Sequence, residues 1–205
     1  MIGIYLNRHT RTVIGVALSF LLWYLVFLSD YLWSFWYRVT CASLLLSCYA
    51  YFPGKTDLKK VRLGKDDILK GLGSGFALYG LFYIGFNVFR TLVAGGASDV
   101  YLFRSELPLY VPAMLLLVTS FCEEFFWRHY IQNHISERYG LKGILLTSAL
   151  YSAIHLPTMN MPLVAAAFIA GLAWGLLYKY TGSLWLVVFS HIAWTELIFV
   201  FLPLG

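Results

Sequence analysis

Two adjacent carboxylates stand in the middle of an apolar run, Ser120-Phe121-Cys122-Glu123-Glu124-Phe125-Phe126-Trp127-Arg128. On a helix, Glu124 and Arg128 are four residues apart and share a face, so they can form an ion pair. Glu123 is turned ~100° from Glu124 and falls outside that pair. A carboxylate without a cation partner, in a low-dielectric setting, suits general-base chemistry near neutral pH. The plainer alternative is that both glutamates pair with Arg128, or that one faces a water-filled crevice without chemistry. Two histidines stand in later apolar runs: His155 in Tyr151-Ser152-Ala153-Ile154-His155, and His191 in Ser190-His191-Ile192-Ala193-Trp194-Thr195. A carboxylate and two imidazoles could supply a base and an electrophilic stabiliser. Glu123, His155 and His191 could equally be a one-carboxylate, two-histidine zinc set, although no HExxH is present to support it locally. His9, His129 and His134 stand near basic ends, where a solvated role is expected.

The elements that must position these groups follow from composition. The chain has 205 residues, 60% hydrophobic and 12% charged, with a mean hydropathy of +0.72. A water-soluble domain has about a quarter of its residues charged, so this chain cannot wet a globular surface of its own. Seven Trp and fifteen Tyr suit anchors at the headgroup level. A helix needs about 20 apolar residues to cross the hydrocarbon. On that template seven spans are expected, at 13–28, 31–52, 68–94, 109–135, 142–156, 163–180 and 184–202. The fold class is therefore all-α, a polytopic transmembrane bundle in one membrane domain. Residues 1–107 supply N-terminal spans and polar connections, and 108–205 carry the chemistry. Counted at ~1.5 Å per residue from the basic ends, Glu123 and His155 lie roughly 20 Å deep and His191 roughly 12 Å.

The net charge of +5 sits in short loops, a pattern of membrane orientation rather than of a nucleic-acid surface. Arg8, Arg11, Lys55, Lys59, Lys60, Arg62, Lys65, Arg138, Lys142 and Lys179 fall in alternate connections. Little beyond Arg38, Arg90 and Arg104 falls in the others. The positive-inside rule then predicts a cytoplasmic N-terminus and an external C-terminus. The first apolar run has no clear cleavage site after it and reads as a retained helix. Gly71, Gly73 and Gly75, and the pair Gly171 and Gly175, mark close helix packing. Cys41, Cys48 and Cys122 read as unpaired apolar residues.

The polar motifs, in this order, resemble the CAAX-processing and bacteriocin-processing (CPBP, or ABI) family of intramembrane proteases. That family's pattern is EExxxR, then FxxxH, then HxxxN or HxxxD on successive helices. Here the first is complete from Glu123 to Arg128. The second has Tyr151 where Phe is commoner, and the third has Thr195 at the Asn or Asp position. The runs Gly171-Leu172-Ala173-Trp174-Gly175 and Thr181-Gly182-Ser183-Leu184-Trp185 also look like the family's lead-in to its last histidine, so the likeness covers roughly 109–202. The resemblance implies a glutamic-type peptidase without metal or other cofactor. Glu123 and His155 would activate water, Glu124 and Arg128 would brace the site, and His191 with Thr195 would stabilise the oxyanion. A threonine hydroxyl is shorter than an asparagine amide and differently aimed, so Asn160 is an alternative donor. The implied protein is integral to the plasma membrane of a prokaryote. It acts on a membrane-associated peptide or protein within the lipid bilayer, with no nucleic-acid partner and no oligomeric state assigned. A non-catalytic membrane partner or immunity-type protein on the same scaffold is the alternative outside enzymes.

Overall fold

The computed structural model describes residues 7–29, 33–52 and 61–204. Asp30, the start of the span expected at 31, and Lys55, Lys59 and Lys60 lie outside the described residues. Among those residues the chain is all helical, with no strand. The helices are α1 (Arg8–Leu28), α2 (Phe35–Tyr51), α3 (Asp67–Val88), α4 (Arg90–Tyr101), α5 (Tyr110–Glu124), α6 (Asn133–Tyr139), α7 (Leu141–Ala153), α8 (Met161–Thr181) and α9 (Leu184–Thr195). Helices α5 and α6 are the ends of one continuous helix, joined by a π-helical stretch, Phe125–Gln132. A second π-helical stretch, Glu196–Phe201, prolongs α9.

Among the described residues, five helical units are long and apolar enough to cross a membrane: Arg8–Leu28, Asp67–Val88, Tyr110–Tyr139, Met161–Thr181 and Leu184–Phe201. The stretches expected as the second and fifth spans are helices α2, of 17 residues, and α7, of 13. Both are shorter than the roughly 20 residues of a full crossing. The third expected span is interrupted. Its helix stops at Phe89, and Arg90 opens the separate 12-residue α4, which packs on the start of α8 where Asn160 Nδ2 donates to the Gly96 carbonyl at 2.7 Å.

Large apolar side chains cover the outer faces, Leu21, Leu45, Tyr83 and Ile84 among them. Such an apolar exterior is what lipid would solvate. The inner seams are held by small residues and caps. A Cβ on Gly71 would come within 2.6 Å of the Leu186 carbonyl oxygen, and one on Gly75 within 2.5 Å of the Ser190 oxygen. That register lays α3 parallel to α9 with backbones almost touching. Gly171 faces the ring of Tyr151, and Gly175 faces Ile144 and Gln132, which packs α8 antiparallel against α7.

Polar contacts tie the two ends of the bundle. At one end Arg8 pairs with Glu137, and the Ser183 hydroxyl donates to Asp67 at 2.7 Å. At the other, the Glu106 carboxylate accepts from Ser34 and from the Phe35 N–H, both at 2.7 Å, closing the start of α2.

Candidate active site

Glu123 and Glu124 occupy the last turn of α5, and Arg128 follows in the π-helical stretch. Glu124 and Arg128 are wholly buried, with Arg128 Nε 3.1 Å from Glu124 Oε2. This is the pair expected from their spacing. It is a charge contact without an aligned hydrogen bond, and both terminal guanidinium nitrogens lack a hydrogen-bond partner among the described residues. The guanidinium instead lies 4.9 Å from the Tyr151 ring and 6.0 Å from that of Trp174. Cation–π attraction offsets part of its desolvation.

Glu124 also reaches across the bundle, because its Oε1 accepts from His191 Nδ1 at 2.8 Å. The imidazole stacks on Trp174, with ring centroids 3.8 Å apart and planes 20° from parallel. Arg128, Glu124 and His191 thus form a buried relay from the π-helical stretch to α9. The hydrogen bond to Nδ1 sets the ring's orientation and turns Nε2 to any other partner.

Glu123 is outside that relay. Its Oε2 accepts from the Tyr151 hydroxyl at 2.8 Å, leaving Oε1 for another group. Tyr151 and His155 stand four residues apart at the end of α7. There His155 Nδ1 lies 3.0 Å from the Tyr151 carbonyl oxygen. A carbonyl only accepts, so Nδ1 carries the hydrogen and Nε2 keeps a lone pair. Rings of Trp23, Phe27 and Tyr151 surround the imidazole at centroid distances of 6.5, 5.8 and 5.6 Å. Glu123, His155 and His191 line one cavity of about 120 Å³, together with Tyr151, Ser120 and Thr195. The rest of the wall is apolar, much of it aromatic.

Thr195 reaches this cavity, but its Oγ lies 2.9 Å from the His191 carbonyl and 3.1 Å from that of Ile192. The one hydroxyl proton is therefore used within its own helical turn, a common habit of Ser and Thr in helices. Asn160 stands apart from the cavity. Its Oδ1 caps α8 through the Leu163 N–H, and its amide nitrogen is held by Gly96. His129, expected in a solvated setting, is buried with Nδ1 2.8 Å from the Tyr178 hydroxyl, because α8 covers it. His134 is half-buried against His9, their ring centroids 6.2 Å apart. No three His, Cys, Asp or Glu side chains among the described residues converge as a metal-ligand set.

Sequence reasoning missed three contributors. Tyr151 was visible as a departure from the usual Phe, yet its bond to Glu123 depends on how α7 lies against α5. Trp174 stood within a quoted motif, but nothing local links it to His191. Trp23 comes from α1, far from every polar motif, and carried no signal.

Residues 105–196 match the family model described as type II CAAX prenyl endopeptidase Rce1-like. The matched stretch is therefore similar to an Rce1-like domain, whose family is one of proteases. It holds Glu123, Glu124, Arg128, His155, His191 and Thr195. No curated protein and no solved structure matches the chain. The apolar helices and the domain together make this an integral membrane protein.

Proposed function

With residues 105–196 similar to an Rce1-like domain, we propose that the protein is an intramembrane endopeptidase of glutamic type. It hydrolyses a peptide bond of a membrane-associated substrate. The observation that carries this reading is the single cavity lined by Glu123 of α5, His155 of the turn after α7 and His191 of α9. Seven crossings of the bilayer go with it, α2 and α7 completing theirs with adjoining turns.

In this reading a water sits between Glu123 Oε1 and His155 Nε2. Tyr151 holds the other oxygen of Glu123, so the carboxylate cannot turn away from the water. The water oxygen attacks the scissile carbonyl carbon as its proton passes to the Glu123–His155 pair. Charge that develops on the carbonyl oxygen is met by His191 Nε2–H. Glu124 supports the imidazolium through Nδ1. Arg128 holds Glu124 fixed between its two partners. The captured proton then goes to the leaving amine, and both products depart. Aromatic walls exclude bulk water and strengthen each of these electrostatic contacts.

The test is Glu123→Gln, which keeps shape and removes the base. Membrane proteomes of cells carrying the wild type and the variant are compared for peptides that stay uncut. Turnover of such a peptide is expected to fall by ~10²–10⁴-fold. Full cleavage by the variant would sink the assignment. Activity that disappears in chelator and returns with zinc would replace it with a metalloprotease.

A further inference from the structure

The cavity is off-centre in the bundle. It is lined by α5 through Leu116 and Ser120, and by the start of α2 through Phe35 and Val39. The start of α8 contributes Leu163, and the far half of the α9 unit contributes Thr195 and Phe199. Of these, Phe35, Val39, Leu163 and Phe199 belong to the end where Glu106 caps α2 and Arg104 donates to the Val200 carbonyl. Phe35, Phe103 and Phe199 of that end are among the lining residues, and none of the lining residues is Lys or Arg.

The charges are distributed the opposite way. Arg8 and Arg11 stand at the start of α1, Arg62, Lys65 and Lys70 around the start of α3, Arg138 and Lys142 at the α6–α7 turn, and Lys179 at the end of α8. The cavity end has Arg38, Arg90 and Arg104, with Asp99, Glu106 and Glu196 beside them in the sequence of that end. Arg38 is also held by the Ser29 carbonyl. Short basic connections stay on the cytoplasmic side.

We propose that the catalytic cavity opens on the external face of the membrane, so that its substrate is an exported polypeptide cut on that side. This inference rests on the protease reading of the same site. The segment that enters carries apolar or aromatic residues around the cut, matched to a largely apolar wall without cations. Cytoplasmic peptides, prenylated or not, would meet the basic end, where no lining residue of this cavity lies.

Two measurements decide it. Single-cysteine variants are made at Ser105 and at Thr181, both exposed and at opposite ends of the bundle, with the three native cysteines replaced. In intact cells an impermeant maleimide is expected to label Ser105→Cys, and to label Thr181→Cys only after lysis. The reverse pattern overturns the inference whatever the activity. New protein N-termini are then compared between membranes of the native host carrying wild type and Glu123→Gln. Termini lost in the variant are expected within segments outside the cytoplasm. Lost termini confined to cytoplasmic segments overturn the external assignment and leave the protease reading standing. The absence of any lost terminus overturns the protease reading and, with it, the substrate class.

Discussion

Tyr151 and Arg128 divide the two glutamates between them. The phenol takes Glu123, the guanidinium takes Glu124, and the cation lies over the phenol's own ring. Tyr151→Phe keeps the ring and removes one hydrogen bond to a buried carboxylate, a bond of about 1.5–3 kcal/mol. On the proposed mechanism, kcat is expected to fall by ~10–100-fold with KM little changed, measured on a peptide found uncut in the Glu123→Gln comparison. Thr195→Val should matter much less, because the hydroxyl it removes serves the backbone of its own turn. A loss under about threefold is expected there, against ~10²–10³-fold for His191→Ala. Comparable losses for the two would restore Thr195 as an oxyanion donor. The ion pair of Glu124 with Arg128 was legible because spacing of four on one helix fixes it. The bond from Glu124 to His191 was not, since it joins residues 67 apart. No local pattern reveals which of two neighbouring carboxylates a distant imidazole will find.

At the scale of elements, the site depends on how closely helices approach. Gly75 meets the Ser190 carbonyl and the Ala193 side chain, which flank His191 on α9. Gly75→Leu must push α3 off α9 and shift the histidine with it, at a cost of ~1–3 kcal/mol or more. The thermal midpoint of the purified protein should drop and activity should fall with it. Gly73→Ala, two residues away with nothing near its Cβ position, should leave the midpoint unchanged or raise it. Hydropathy located most helices, because a lipid-facing helix must be apolar along its length. The break at Phe89 escaped it, since no proline and no change of polarity precedes Arg90. The π-helical stretches escaped it too. Each begins directly after a polar cluster, at Phe125 and at Glu196, and such widened turns often accompany functional sites. Periodicity of about 3.6 cannot announce an i→i+5 turn, which arises where buried side chains such as Trp127 and Arg128 need the extra room.

The whole molecule differs from a soluble enzyme chiefly in its exterior, since its core is apolar as well. Its apolar side chains point outward in large number, while Glu124, Arg128, Ser120, Thr147 and Ser148 are among its most enclosed groups. A composition with so few charges could announce the apolar exterior, but not the place where the interior is left hollow. That place is small. A cavity of about 120 Å³ has room for several waters. Ala167→Leu, on its wall, should therefore slow turnover several-fold while the fold persists, as followed by kcat and by thermal midpoint. On the proposed mechanism each cut consumes one of those molecules, and an entering polypeptide expels others. Refilling then becomes a step of the proposed cycle in its own right. Solvent must return past a largely aromatic wall, so high osmotic strength should throttle such a reaction long before it troubles one whose catalytic groups are open to bulk solvent.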